Sequence, residues 1–240
     1  PVRCAWAPVG ARGTSLVRDG GHPSGARGAG MLPVVLGWPP DGPRLRLDHR
    51  RFAYAGKFVM SATGKAVLLG TDGADADSLA DALLDEADRE RLARTAGEAG
   101  WSLDAAVLGA VAFSEDRTDP ATLRVRYVTV RADRQGERLG PKLLVFLRDR
   151  ATERGYDRVR IGVNNAFSYE AAYRAGFGWT GEETGLAELV CEWPAPAGRS
   201  AERYRAGLDR FRQPDREPSE AERSFLATRE GTDPPAVIPR

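Results

Sequence analysis

Val128-Thr129-Val130-Arg131-Ala132-Asp133-Arg134-Gln135-Gly136-Glu137-Arg138-Leu139-Gly140-Pro141 is the stretch that decides how this 240-residue chain is read. Just upstream, Leu123, Val125 and Tyr127 alternate with Arg124 and Arg126. That period of two predicts a half-buried strand with the apolar residues on one face and the arginines on a solvated one. Downstream, Leu139, Leu143, Phe146 and Leu147 recur at helical spacing, with Pro141 suited to the first helical position. Between strand and helix lies a polar turn, Arg131 to Gly140, that contains glycine. Such a turn points backbone N–H groups outward, and the helix dipole adds partial positive charge, so it suits phosphate oxygens. No Gly-Lys-Ser/Thr follows, so this is not a Walker loop; nor is the spacing that of the dinucleotide fingerprint Gly-x-Gly-x-x-Gly.

Working outward, Ala105 to Phe113 is a small apolar run that predicts a buried strand, and Glu115 to Pro120 is a connection. Gly155 ends the helix, and Val159, Ile161 and Val163 make the next strand. Asn164-Asn165 opens a short helix that stops near Gly176, and Phe177 to Trp193 supplies one or two more strands. Strand, turn, helix, strand, short helix, strand predicts an α/β domain with at least one parallel crossover. In the first half, Leu32 to Pro43 carries turn signals, Leu45 and Leu47 predict a short strand, and Arg50 to Met60 is ambiguous. Lys65 to Leu69 is strand-like, and Asp77 could cap a helix bearing Leu79, Leu83, Leu84 and Leu92.

Both ends differ from the centre. Residues 1–30 are rich in Gly, Arg and Pro with one acid, Asp19, and predict a flexible tail or a start extended beyond Met31. Residues 31–193 are the expected domain, and residues 194–240 a charged, Pro-containing extension. Tyr204, Leu208 and Phe211 predict a short amphipathic helix there, packing on the domain or on a second subunit; Ser219 to Glu230 predicts another.

Composition excludes several classes. No window approaches the roughly 18 apolar residues of a membrane span, and no signal-like apolar stretch is present, so the expected location is cytoplasmic. A net charge of +1 argues against a nucleic-acid partner. Of the 35 basic residues only Lys57, Lys65 and Lys142 are lysines, which marks a GC-rich genome rather than a site. Two cysteines, Cys4 and Cys191, and two histidines, His22 and His49, have no zinc-ligand spacing, so no metal is expected.

A second constellation follows the turn. Asn164-Asn165 closes a strand, and Tyr169 and Tyr173 share a helix face ahead of Gly176-Phe177. Asparagine can bond an amide-rich ligand or cap the helix, and a tyrosine can pass a proton to a leaving thiolate or simply fill the core. Val130, Gln135, Gly140, the Leu143–Leu147 stripe, Val159–Val163, Asn165, Tyr173 and Gly176-Phe177 together resemble the GCN5-related N-acetyltransferase (GNAT) superfamily over about residues 105–193. Two positions depart from its pattern. The family's first glycine falls on Arg138, and its Tyr-x-x-x-Gly-Phe register places Ala172 where the tyrosine belongs.

The resemblance implies a mixed, centrally splayed β-sheet flanked by helices, and an acetyl-CoA-dependent N-acyltransferase acting on a small-molecule or protein amine. It implies that the pantetheine arm pairs with Val128, Thr129 and Val130, and the pyrophosphate with Gln135, Gly136, Glu137, Arg138, Leu139 and Gly140. Asn165 would bond the thioester end, and Tyr173 or, failing it, Tyr169 would be the acid. Glu115 and Asp116 are candidates for the base. A homodimer is left open, and a non-catalytic acyl-CoA sensor is the alternative.

Overall fold

The structure is a computed structural model that describes residues 31–70 and 107–239. The Asp77–Leu92 helix, the residue 1–30 tail and the start of the Ala105–Phe113 strand lie outside the described residues. Among the described residues seven strands form one sheet: β1 (Met31–Gly37), β2 (Gly64–Gly70), β3 (Val107–Glu115), β4 (Thr122–Val130), β5 (Arg158–Val163), β6 (Gly178–Glu183) and β7 (Leu189–Trp193). Their order is β1-β2-β3-β4-β5-β7-β6. Every pairing is antiparallel except β4 with β5. That parallel pair needs a crossover, which is α1 (Leu139–Glu153). Three further helices follow: α2 (Ala166–Arg174), α3 (Ala201–Phe211) and α4 (Glu220–Ala227).

The expected splay is written in the register. Thr122, Leu123, Arg124 and Val125 pair with Arg158, Val159, Arg160 and Ile161, and there the pairing stops. β4 stays with β3 as far as Val130, while β5 stays with β7 as far as Val163. The two central strands therefore part like a fork. Arg126–Val130 forms one arm, and at about 3.3 Å per residue it offers roughly 13 Å of strand edge.

A β-bulge shapes this arm. Ala112 pairs with Tyr127 but Phe113 with Val125, so Arg126 is an extra residue. It reverses the alternation read from the sequence. Leu123, Val125, Val128 and Val130 face the core under α1 and α2, whereas Tyr127 packs on the opposite core, with Phe58 and Ala112. Tyr127 is thus not on the face of Leu123 and Val125, because a strict period of two cannot foresee an inserted residue.

Two elements of the first half also differ from expectation. Met31–Gly37 is an edge strand where no strand was expected, ending just before the Trp38–Pro43 turn signals, and the edge position tolerates Pro33. Leu45 and Leu47 form no strand; Leu45 is buried and its N–H donates to the Phe58 carbonyl at 3.0 Å. Lys65, fully buried, holds the neighbouring loop by donating to the carbonyls of Met60 and Thr63 at 2.5 and 2.7 Å.

The extension after Trp193 packs on the domain. Tyr204, Leu208 and Phe211 of α3 join the main core. Arg199 donates to the carbonyls of Tyr173 and Phe177, and the Ile238 N–H donates to the Arg174 carbonyl at 2.9 Å. Among the described residues no helix is long and apolar enough to cross a membrane.

Candidate functional site at the fork

The α1 turn is built to leave donors outward. Gly136 has φ 88° and Arg138 φ 60°, both left-handed. Glycine takes that conformation freely; an arginine there costs about 1–2 kcal/mol. The position where the resemblance expects glycine does hold glycine-like backbone. Arg138 is the N-cap of α1, yet its side chain makes no capping bond. The Lys142 N–H already reaches the Arg138 carbonyl, and Pro141 has no N–H. The donors left at this helix start are therefore the N–H groups of Arg138, Leu139 and Gly140.

Ion pairs stiffen the turn. Arg134 holds Glu137 in a two-point contact at 2.6 and 2.7 Å, and Arg131 bonds Asp133 at 2.7 Å. Hydrogen bonds from these arginines hold the Glu137 and Asp133 carboxyls below their ordinary range. Two buried oxygens nearby lack any hydrogen-bond partner, Thr129 Oγ1 on β4 and Gln135 Oε1 in the turn. Leaving a buried polar atom unmade costs about 1–3 kcal/mol, so such atoms point to a missing partner.

A cavity of about 350 Å³ opens beside the turn. Gln135, Gly136 and Arg138 line it from the turn, Glu170 and Arg174 from α2, and Arg229 from beyond α4. Three arginines and one carboxylate thus line it, and two of the arginines, Arg174 and Arg229, hold the carboxylate. Glu170 accepts from Arg174 at 2.6 Å, from Arg229 at 2.6 and 3.0 Å, and from the Tyr204 hydroxyl at 3.0 Å. Burial pushes the Glu170 carboxyl up, but the bonds from Arg229 and Arg174 outweigh it and hold it below the usual value. Phe167 and Phe225 add an apolar wall, their rings 4.8 Å apart. Sequence reasoning missed these residues because no local signal links partners such as Glu170 and Arg229, 59 residues apart.

The start of α2, at the other arm, is finished differently. Asn165 caps it by accepting from the Ser168 N–H at 2.8 Å. Glu222 of α4 reaches across to accept from the Ala166 N–H at 2.8 Å. The capping role weighed for Asn165 is therefore present.

The two tyrosines lie deep inside. Both have 0% exposure, with rings 4.8 Å apart, and Tyr204 and Phe211 complete the cluster. The Tyr169 hydroxyl donates to the Tyr204 carbonyl at 3.2 Å, and the Tyr173 hydroxyl accepts from the Trp179 N–H at 3.1 Å. Burial pushes both phenols up. A Cβ at Gly207 would run into the Tyr169 hydroxyl, so α3 seals the cluster by close approach. The structure brings neither hydroxyl to an open surface. Glu115 and Asp116 lie beside the paired end of β4, away from the fork: Glu115 accepts from Tyr156, and Asp116 from Thr118 and Arg124. Among the described residues no group of three His, Cys, Asp or Glu could hold a metal ion.

No family model and no curated protein matches this chain. Solved structures with a similar arrangement include nourseothricin acetyltransferase, 21% identical, TM-score 0.35, over 54% of this chain and 62% of that one. Another is the PaiA N-acetyltransferase from Thermoplasma acidophilum in complex with coenzyme A, 15% identical, TM-score 0.31, over 36% and 52%. A third is a probable acetyltransferase of the GNAT family from Chromobacterium violaceum, 16% identical, TM-score 0.36, over 75% of this chain and 96% of that one. The first two matches thus span less than two thirds of those proteins' lengths.

Proposed function

We propose that this chain is an acetyl-CoA-dependent N-acetyltransferase of the GNAT superfamily, moving the acetyl group to an amine by direct attack on the thioester. One observation carries the proposal: the open edge of β4 leads straight into an uncapped helix start. This pairs a place for an amide-rich arm with a place for phosphates at the distance of a single turn. The orphaned oxygens of Thr129 and Gln135 support a missing ligand there.

The pantetheine arm would pair with Val128, Thr129 and Val130 as an added strand. The pyrophosphate would take the N–H groups of Arg138, Leu139 and Gly140, with the Arg138 side chain free to swing onto it. The cavity would hold the nucleotide end, where Arg174 and Arg229 suit phosphate and the Phe167–Phe225 wall suits a base. In this reading α4, outside the domain expected from the sequence, completes the cosubstrate site.

The reaction needs a neutral amine and a proton for the departing thiolate. The burial of Tyr169 and Tyr173 favours a proton taken from the attacking nitrogen itself over one given by a phenol. Backbone N–H groups on the edge of β4 that has parted from β5 would bond the developing oxyanion.

The test is calorimetric titration of CoA into the full chain, followed by thiol release from acetyl-CoA with an amine panel. About one saturable site per chain and amine-dependent release are expected. No saturable binding by a folded chain would overturn the proposal. Binding without turnover of any amine would favour the acyl-CoA sensor, the reading that two sealed tyrosines support.

A further inference from the structure

The face of the fork opposite α1 and α2 carries charges that the cosubstrate does not use. Ile161 and Val163 point into the core under the helices, so Gly162 between them points to this opposite face. There the Glu188 side chain lies against it: a Cβ at Gly162 would sit 2.9 Å from Glu188 Oε2. Glu188 is 4% exposed and its Oε2 bonds the Thr184 hydroxyl at 3.3 Å. A side chain at Gly162 would push this carboxylate away from the strand.

The β4 arm presents the opposite charge. Had the strands stayed paired, Arg126 would follow Val125 opposite Gly162; instead both sit where the fork opens. The bulge raises Arg126 on the face of Ser114, whose Oγ accepts from Arg126 Nε at 2.7 Å. Among the described residues no carboxylate reaches its terminal nitrogens. The nearby Asp116 is taken by Arg124 at 3.3 Å, and Glu192 is taken by Arg160. Burial, then the charges of Arg124 and Arg117, pulls Arg126 below the usual arginine value. Its surroundings are short of negative charge.

Resting on the acetyltransferase reading, we propose that the acceptor is a small amine that also bears an anionic group, with Arg126 binding the anion and Glu188 the amine. The pyrophosphate end would be fixed at the α1 turn, so an arm running back along β4 carries the thioester toward Arg126 and Gly162. The amine then arrives from the other face. Its ammonium gives one proton to Glu188. The freed lone pair forms the N–C bond with the acetyl carbonyl carbon, and the C–S bond breaks with its electrons on sulfur. The second nitrogen proton passes to that thiolate, giving amide and CoA thiol, and Glu188 returns its proton to solvent.

The test uses the full chain, after CoA binding has been measured, with glycine, β-alanine and 4-aminobutyrate against their methyl esters. At least one acid should exceed its ester in kcat/KM by about tenfold to a hundredfold, the scale of a charge-assisted bond. Arg126→Gln should reduce that ratio to near one through KM, with CoA affinity held. Glu188→Gln should lower kcat for all amines; Glu188→Asp serves if the glutamine variant does not fold. Failure to bind CoA sinks the acetyltransferase reading and this proposal with it. CoA binding with esters preferred, with no acid bound or turned over, or with Arg126→Gln leaving the ratio unchanged, overturns this proposal alone.

Discussion

The helices α1 and α2 begin at the two arms of one fork, yet their N-termini are finished in opposite ways. At α2 the first-turn N–H groups are met by Asn165 and by Glu222, which arrives from a separate helix. At α1 the cap is an arginine in left-handed backbone whose side chain caps nothing, and a proline stands three residues on. Each missing cap costs about 0.5–2 kcal/mol, and the Arg138 backbone adds its own strain. In the proposed reading, the terminus left open is the one that would take the cosubstrate. This difference separates structural from ligand-binding roles better than any single residue does.

The comparison breaks most severely at Glu170, which ties Arg229 and hence the α4 region to α2. Glu170→Gln leaves Arg174 and Arg229 with a weaker partner and loosens the helix that carries Glu222. Breaking a buried pair costs about 3–5 kcal/mol; with both arginines partly exposed, a loss of about 2–3 kcal/mol is expected in urea unfolding. The pH dependence has a definite sign. Glu170 is held below its ordinary value, so its contribution is complete above the unfolded carboxyl pKa of ~4.3 and is lost as pH falls through the folded value. Glu170→Gln should therefore show a shallower acid limb than the parent chain.

Closing the open terminus is the next largest effect. Arg138→Glu places a carboxylate at the start of α1, where it favours the dipole but repels phosphate. CoA affinity should fall about tenfold to a hundredfold, roughly 1.4–2.8 kcal/mol, while the melting temperature holds or rises. Equal loss of affinity and stability would mean that this terminus is structural after all. Opening the closed terminus is the converse: Asn165→Ala and Glu222→Ala should each cost about 1 kcal/mol in stability. Beyond that shared cost, CoA affinity should fall only for Asn165→Ala, if its amide also touches the thioester arm.

The central crossover was legible because its signals are local. Val159–Val163, the Leu139–Leu147 stripe and the Asn165 cap each sit within a few residues of what they determine. The two helices of the extension were visible for the same reason. Less visible was everything made by long-range pairing. Met31–Gly37 was hidden because Pro33 and the turn signals that follow it mask a short strand that pairs with β2. Tyr127 changed faces because Arg126 is an extra residue against β3, which alternation alone cannot register. The cavity draws on α2 and on Arg229, and Glu188 meets Gly162 only through the pairing of β5 with β7. Both tyrosines sit on one helix face as expected, but that face is roofed by α3 rather than turned to the fork.

Arg138→Gly gives the smallest effect and the finest cut. Glycine removes the left-handed strain of about 1–2 kcal/mol, but it also gives the unfolded chain more freedom, which costs about 0.4–1 kcal/mol. The balance is a gain of at most about 1.6 kcal/mol, a rise of a few degrees for a domain this size. The substitution keeps the N–H groups of the turn and removes only the guanidinium. If the backbone does the binding, CoA affinity in a calorimetric titration should stay within about threefold of the parent, and the glycine of the resembled family would be restored without loss. If the arginine itself grips phosphate, affinity should fall by about tenfold, the scale of one charge-assisted bond. The second outcome would make Arg138 an adaptation specific to this chain, which accepts a strained cap in return for a side chain at the phosphates.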